Sequence, residues 1–407
     1  MIYLSTINDV PDHKGLIKSL QECMSRGIPI TEPEEVLYKL QYDNQAAKEN
    51  LINNYGIVNP NSSKQVIETF KNIDDAVITR VCCDNGKWST AAENLQTLIP
   101  LGYDIAYQLS VYRKTNSYIK YIKSFSEARD SYGRVHPSIE AGKTNRINYS
   151  NPPLMNMPKQ LLGHVLAPRN PGGKLVSIDI KNQEPWILVN MLNITEIKEL
   201  IELGMDYAGL YEIVFEEWYK KSPTAKELSE FKVNWNALTY GCSKKSVYAS
   251  CKNIDPDIIC KEFSSINSIK AYQKECNSKG FSNKRECVSM FGTVMRCDGN
   301  TGMALGRQHM DWKLQGTGTD ILAFLVGHFN DTLAVDYEDH IELYYTRNDE
   351  LVLEVSHTLM STMGESRVIN MLREEFSHQI DDWVPFKVEV KLLEPKELFF
   401  DYQAEED

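Results

Sequence analysis

Two aspartates stand where a β-sheet could bring them together. In Lys174–Ile180, KLVSIDI, a short strand pattern carries Asp179 near its end. In residues 341–355, IELYYTRNDELVLEV, Asp349 lies between two alternating runs: Ile341, Leu343 and Tyr345, then Leu351, Leu353 and Val355. A period of two on both sides of Arg347-Asn348-Asp349 predicts a β-hairpin with one buried face. The carboxylate at its tip has two readings. It serves the turn, which Asp and Asn favour, or it holds a metal, since an unpaired charge near a core is costly. Asp179, at the mouth of a strand, makes the second reading chemically specific. Magnesium is often held by one or two carboxylates plus substrate phosphates. Two such ions ~3.5–4 Å apart can stabilise the attacking and the leaving oxygen of a phosphoryl transfer.

A third segment supplies a polar face. Thr224 and Glu227 fit a capping box that opens a helix, and Gly241 is a suitable stop after Tyr240. Leu228, Lys232, Asn236 and Tyr240 are spaced by four and share one face. Lys232 and Tyr240 would lie ~12 Å apart along the axis. That separation suits a triphosphate gripped at one end and a base at the other; the competing reading is an exposed polar stripe. Ahead of it, residues 184–192 predict a buried helix with Pro185 in its first turn.

These elements sit in a chain of 407 residues, enough for two or three subdomains. With 42% hydrophobic and 25% charged residues the composition is that of a globular protein. No apolar run approaches the ~20 residues of a membrane span. The first residues, MIYLSTINDVPDHK, lack a signal-peptide pattern. Nine cysteines without a CxxC pair and eight scattered histidines argue against zinc, and the cysteines read as reduced thiols in a cytoplasmic compartment. The net charge of −12 hides two acid-free tracts. Residues 141–178 carry Lys143, Arg146, Lys159, Arg169 and Lys174 and lead into Asp179. Residues 105–126 interleave Arg113, Lys114, Lys120 and Lys123 with Tyr112, Tyr118, Tyr121 and Phe125. Such tracts can track a phosphate backbone or form solvated helix faces.

In order and wording the segments resemble family A DNA polymerases, the group of bacterial DNA polymerase I and several bacteriophage replicative polymerases. Asp179-Ile180-Lys181-Asn182-Gln183-Glu184 resembles the family's D-Y-S-Q-I-E. Lys232 through Tyr240-Gly241 matches K-x7-YG, and Asn348-Asp349-Glu350-Leu351-Val352-Leu353-Glu354 resembles H-D-E-L-V-L-E. Thr144-Asn145-Arg146 with the stretch from Ser150 to Pro158 resembles T-G-R…S-x-P-N-L-Q-N-I-P. Arg307 with Gln315-Gly316-Thr317-Gly318-Thr319-Asp320 resembles R…Q-G-T-A-A-D. Gly86-Lys87-Trp88-Ser89-Thr90 and the stretch from Asn59 to Gln65 resemble G-K-x-S-T and N-x-N-S-x-K-Q.

The resemblance implies an α+β chain with a right-hand polymerase architecture, an antiparallel-sheet palm and helical thumb and fingers. Its parts would be a connecting segment (1–60), thumb (61–145), palm (146–192), fingers (193–299) and second palm segment (300–407). The implied reaction is template-directed addition of dNTPs to a primer 3′-hydroxyl with pyrophosphate release. Asp179, Asp349 and the Ile180 carbonyl would hold two Mg2+ ions, with Mn2+ able to substitute, and Glu350 would be an auxiliary carboxylate. Lys232 would bind phosphates, Asn236 and Tyr240 would face the nucleotide, and Glu184 would exclude a ribose 2′-hydroxyl. Arg146, Asn156, Arg307 and Gln315 would touch primer–template DNA near its minor groove. A phage- or plasmid-type source, a monomer in the (host) cytoplasm and a separate nuclease or processivity factor complete the expectation.

Four positions depart from the family. Leu228 stands for an Arg, Asn236 for an aromatic residue, Asn348 for a His, and Ile180 for an aromatic residue. Lys226 or another nearby cation is expected to replace the Arg. The residues ahead of the thumb are too few for a proofreading exonuclease, so none is expected. Two other functions fit less of the pattern: a primer–template binding factor with a degenerate site, and a single-subunit RNA polymerase relative, which Glu184 argues against.

Overall fold

The computed structural model describes residues 2–4, 11–31, 33–73, 75–84, 86–202, 209–380, 383, 385–396 and 398. Two compact units divide the chain. The first comprises residues 1–26, 138–150 and 168–393; the second comprises 27–137, 151–167 and 394–407. Helix α1 (His13–Ser25) belongs to the first unit. Helices α2 (Glu34–Tyr55) and α3 (Asp104–Glu127) belong to the second. Ribbon β1 (Ser138–Ala141) and β2 (Ile147–Ser150) returns the chain to the first unit, followed by strand β3 (Lys174–Ile180) and helix α4 (Gln183–Met191). Then come α5 (Leu210–Tyr219), α6 (Ala225–Thr239), α7 (Asn267–Phe281), ribbon β4 (Glu286–Val288) and β5 (Val294–Arg296), and α8 (Gly302–Asp331). Hairpin β6 (Ile341–Arg347) and β7 (Glu350–Val355) and strand β8 (Val388–Leu392) follow.

In the second unit α2 lies along α3. The Asn44 amide donates to the Tyr112 carbonyl and to Thr115 Oγ1, each at 2.9 Å. Its core gathers Leu51, Phe70, Ile78, Leu98 and Leu109. The acid-free tract of α3 is less of a DNA surface than its composition suggested. Tyr112, Tyr118 and Phe125 are buried, so these aromatics are core rather than stacking platforms. Arg113 donates to the carbonyl and the hydroxyl of Thr90. Lys120 and Lys123 remain exposed.

The centre of the first unit is a four-stranded antiparallel sheet in the order β6-β7-β3-β8. The sequence predicted one buried face for the hairpin. The structure corrects this: every residue of β7 is buried, and so are Tyr344, Tyr345 and Thr346 in β6. A register shift between Leu343 and Tyr345 breaks the simple alternation. The buried Glu354 is sheltered by partners. Glu354 accepts from the Asn170 amide at 2.6 Å and lies 3.5 Å from Arg169, whose guanidinium covers the Tyr344 ring. Helix α1 closes on β6, with the Cys23 thiol donating to the Leu343 carbonyl.

Helix α4 follows β3 directly. Trp186, Ile187, Leu188 and Val189 are all fully buried, as expected for a helix apolar all round. Each such side chain contributes about 1.5–3 kcal/mol by leaving water, so the helix that follows Asp179 is held fast. Helices α7 and α8 cross at glycines. A Cβ on Gly280 would lie 2.2 Å from the Gly302 carbonyl and 2.4 Å from the Gly306 nitrogen. Among the described residues no helix is long and apolar enough to cross a membrane.

Candidate active site

The two aspartates predicted from the sequence meet at neighbouring strand ends. β7 pairs with β3 so that Glu350 lies opposite Asp179, and the Ile180 amide donates to the Asp349 carbonyl at 3.3 Å. Asp179 and Asp349 are both half-buried. A two-residue turn, Asn348-Asp349, joins β6 to β7, and Asn348 takes a positive φ of 54°. Asn tolerates that left-handed conformation better than most residues.

Directly opposed residues project from one sheet face. Glu350 therefore shares Asp179's side, and its buried carboxylate accepts a hydrogen bond from the Ser177 hydroxyl. Glu389 on β8 also lies opposite Asp179 and pairs with Lys181 at 3.3 Å. Among the described residues no three His, Cys, Asp or Glu converge tightly enough to hold an ion by themselves. Two all-oxygen carboxylates at adjacent strand ends nevertheless fit magnesium, which retains waters and takes phosphate oxygens.

Glu184, in the first turn of α4, joins three elements. It accepts from Arg146 Nη2, just before β2, and from Tyr240 Oη, at the end of α6, each at 2.6 Å. Burial, then the neighbouring Glu184 carboxylate, drives the Tyr240 pKa far up, so the phenol stays a donor. Helix α6 starts with the predicted reciprocal box: Thr224 and Glu227 cap each other, and Tyr240 is the C-cap before Gly241, whose φ is 78°. Leu228, Lys232, Asn236 and Tyr240 are all half-buried on its shared face. Asn236 accepts from Tyr211 Oη at 2.9 Å. Lys232 Nζ stands 3.8 Å from Glu212 and 5.6 Å from the Tyr211 ring centre. Lys226 lies exposed in the first turn.

Helix α8 presents Arg307, Asp311 and Gln315 at intervals of four. Arg307 is exposed, and Gln315 donates to Asp311 at 2.5 Å. Burial, then Glu184, raises the Asp311 pKa. Asn156 lies in the other unit, exposed in the turn Leu154–Asn156.

A model of DNA polymerase family A matches residues 32–394. The chain belongs to DNA polymerase family A. This family A chain is 27% identical over 134 residues to the DNA polymerase I of Rhizobium leguminosarum, a match covering 30% of the chain and 13% of that relative's length. Its fold is that of the POL domain of Pol1 from M. smegmatis, solved in complex with DNA primer-template and dNTP. The TM-score is 0.75 at 18% identity, over 93% of this chain and 69% of that one.

Sequence reasoning about this family A chain missed three residues: Tyr211, Glu212 and Asp311. Asp311 had a signal, since it lies four residues after Arg307 and four before Gln315 on one helix face. Tyr211 and Glu212 had none, because their partners Asn236 and Lys232 lie on another helix.

Proposed function

We propose that this chain is a template-directed DNA polymerase that extends a primer 3′-hydroxyl with dNTPs. The reading rests above all on Asp179 and Asp349, set at adjacent strand ends in a chain of family A. In the reaction the primer O3′ attacks the α-phosphorus, the bond to the β-phosphate oxygen breaks, and pyrophosphate departs.

Asp179, Asp349 and the Ile180 carbonyl would hold Mg2+, which supplies Lewis-acid charge for the primer hydroxyl and the triphosphate. Lys232 binds the phosphates and can protonate the leaving group. Glu350, held by Ser177, keeps the strand pair acidic and its geometry fixed. Tyr240 faces the nascent base pair, and Asn236 lies one turn along the same face. Glu184, tied to Tyr240 and Arg146, cannot readily swing aside from the space a 2′-hydroxyl needs. This excludes ribonucleotides by obstruction. Arg146, Arg307, Gln315 and Asn156 contact primer–template near the minor groove, where the acceptor pattern is nearly independent of sequence. Residues 61–145, most of which lie in the helical second unit, serve as thumb, residues 146–192 and 300–407 as palm, and residues 193–299 as fingers.

Primer extension on a defined template with four dNTPs and Mg2+ tests this. The wild-type chain extends the primer; Asp179→Ala and Asp349→Ala abolish extension while still shifting primer–template in a gel, and EDTA stops the wild type. Equal extension by wild type and Asp179→Ala, or none by either, rejects the proposal.

A further inference from the structure

Every polar residue on the working face of α6 has a partner, and two of those partners come from adjacent positions of α5. Tyr211 is 4% exposed and meets Phe231 and Trp235 edge-on, each at 6.3 Å between ring centres. Burial raises its pKa, so its hydroxyl remains a donor to Asn236. The ring is thereby fixed with the Lys232 ammonium 5.6 Å from its centre, within cation–π range. Glu212 approaches the same ammonium from another side, with Oε1 at 3.8 Å. Its second oxygen, Oε2, is buried with no hydrogen-bond partner among the described residues.

A glutamate in a first helical turn suits the helix dipole, which would be a sufficient reason for an exposed one. It does not explain a carboxylate turned toward Lys232 with one oxygen buried and without a hydrogen-bond partner among the described residues, an arrangement that costs stability. A triphosphate reaching Lys232 meets this carboxylate first as a competitor. The lysine remains partly exposed and can exchange one oxyanion for another.

We infer that Glu212 is a positioning residue for the nucleotide site: with Tyr211 it holds the Lys232 ammonium in place without substrate and must release it to the triphosphate. This competition sets the affinity for dNTP. The inference rests on the reading of Lys232 as the triphosphate-binding residue. It also gives a role to the otherwise unusual Asn236, which anchors Tyr211 instead of presenting a ring of its own.

The test is Glu212→Gln, which keeps size and removes charge. In single-nucleotide primer extension the KM for dATP falls about two- to fivefold, the range of one half-exposed ion pair, while kcat changes less. Glu212→Asp, which keeps the charge, stays near the wild-type KM. A merely structural Glu212 would instead lower the melting temperature and leave KM unchanged or raised. Trp235, edge-on to Tyr211, and Trp218, tilted at 32° to Trp235 with ring centres 5.3 Å apart, give an independent fluorescence titration with Mg2+ and dATP. An unchanged or weaker affinity in Glu212→Gln at wild-type melting temperature overturns the inference. Wild-type extension that Lys232→Ala leaves intact overturns the reading of Lys232 beneath it. If the wild type does not extend primers at all, the activity assignment fails, and the titration still decides the inference.

Discussion

Acidification from pH 7 to 5 should weaken the first unit through one histidine. His378 is fully buried. Its Nδ1 donates to the Phe376 carbonyl at 3.0 Å, its Nε2 has no partner among the described residues, and its ring stacks on Phe386 at 4.7 Å. Burial pushes its pKa down from 6.5 to about 4, against a smaller opposite pull from the Phe376 carbonyl. The folded group therefore resists a proton that the unfolded group accepts. Its contribution is whole above pH 6.5 and is lost as the pH falls toward 4. The complete shift corresponds to about 3 kcal/mol, and integration between pH 7 and 5 gives a loss of about 2 kcal/mol. Replacing His378 with Phe keeps a stacking ring and removes the titration. Urea unfolding followed by far-UV circular dichroism at the two pH values measures the effect in both proteins. Carboxylates titrate alike in each, so the difference belongs to residue 378. If wild type and His378→Phe lose the same stability on acidification, the reasoning about a neutral buried ring is wrong.

Two further outcomes follow from the geometry. Glu184→Ala should raise rNTP incorporation relative to dNTP by at least about tenfold, a change of ~1.4 kcal/mol in discrimination; unchanged discrimination in single-nucleotide assays removes Glu184 from that role. Gly280→Ala should destabilise the first unit by about 1–3 kcal/mol, because the methyl group meets the α8 backbone and not a movable side chain; a melting temperature equal to wild type contradicts the close crossing.

Local signals made part of this molecule legible in its sequence. The hairpin, the strand ending near Asp179, the Thr224–Glu227 box and the buried helix after Asp179 all appear where periodicity and capping chemistry place them. The order of the family motifs carried the rest of the fold. What stayed hidden is non-local. Alternation could not show that Glu350 and Glu354 would be buried, because Ser177, Arg169 and Asn170, which shelter them, come from distant segments. The aromatic content of α3 suggested a nucleic-acid surface, yet three of its rings fill a core, which composition alone cannot distinguish. The left-handed backbone of Asn348, which asparagine tolerates, was not visible in the alternation of the hairpin.

The order β6-β7-β3-β8 also has a consequence for how the protein is made. β3, which carries Asp179, is an inner strand, and both of its neighbours, β7 and β8, come later in the chain. At about 5–20 residues per second, the 169 residues between β3 and β7 take on the order of 10–35 s to be made. Throughout that time β3 has both hydrogen-bonding edges open and an apolar sequence that favours pairing with other chains. Yield of the intact protein should therefore depend on how well the nascent strand is shielded as well as on the stability of the finished sheet.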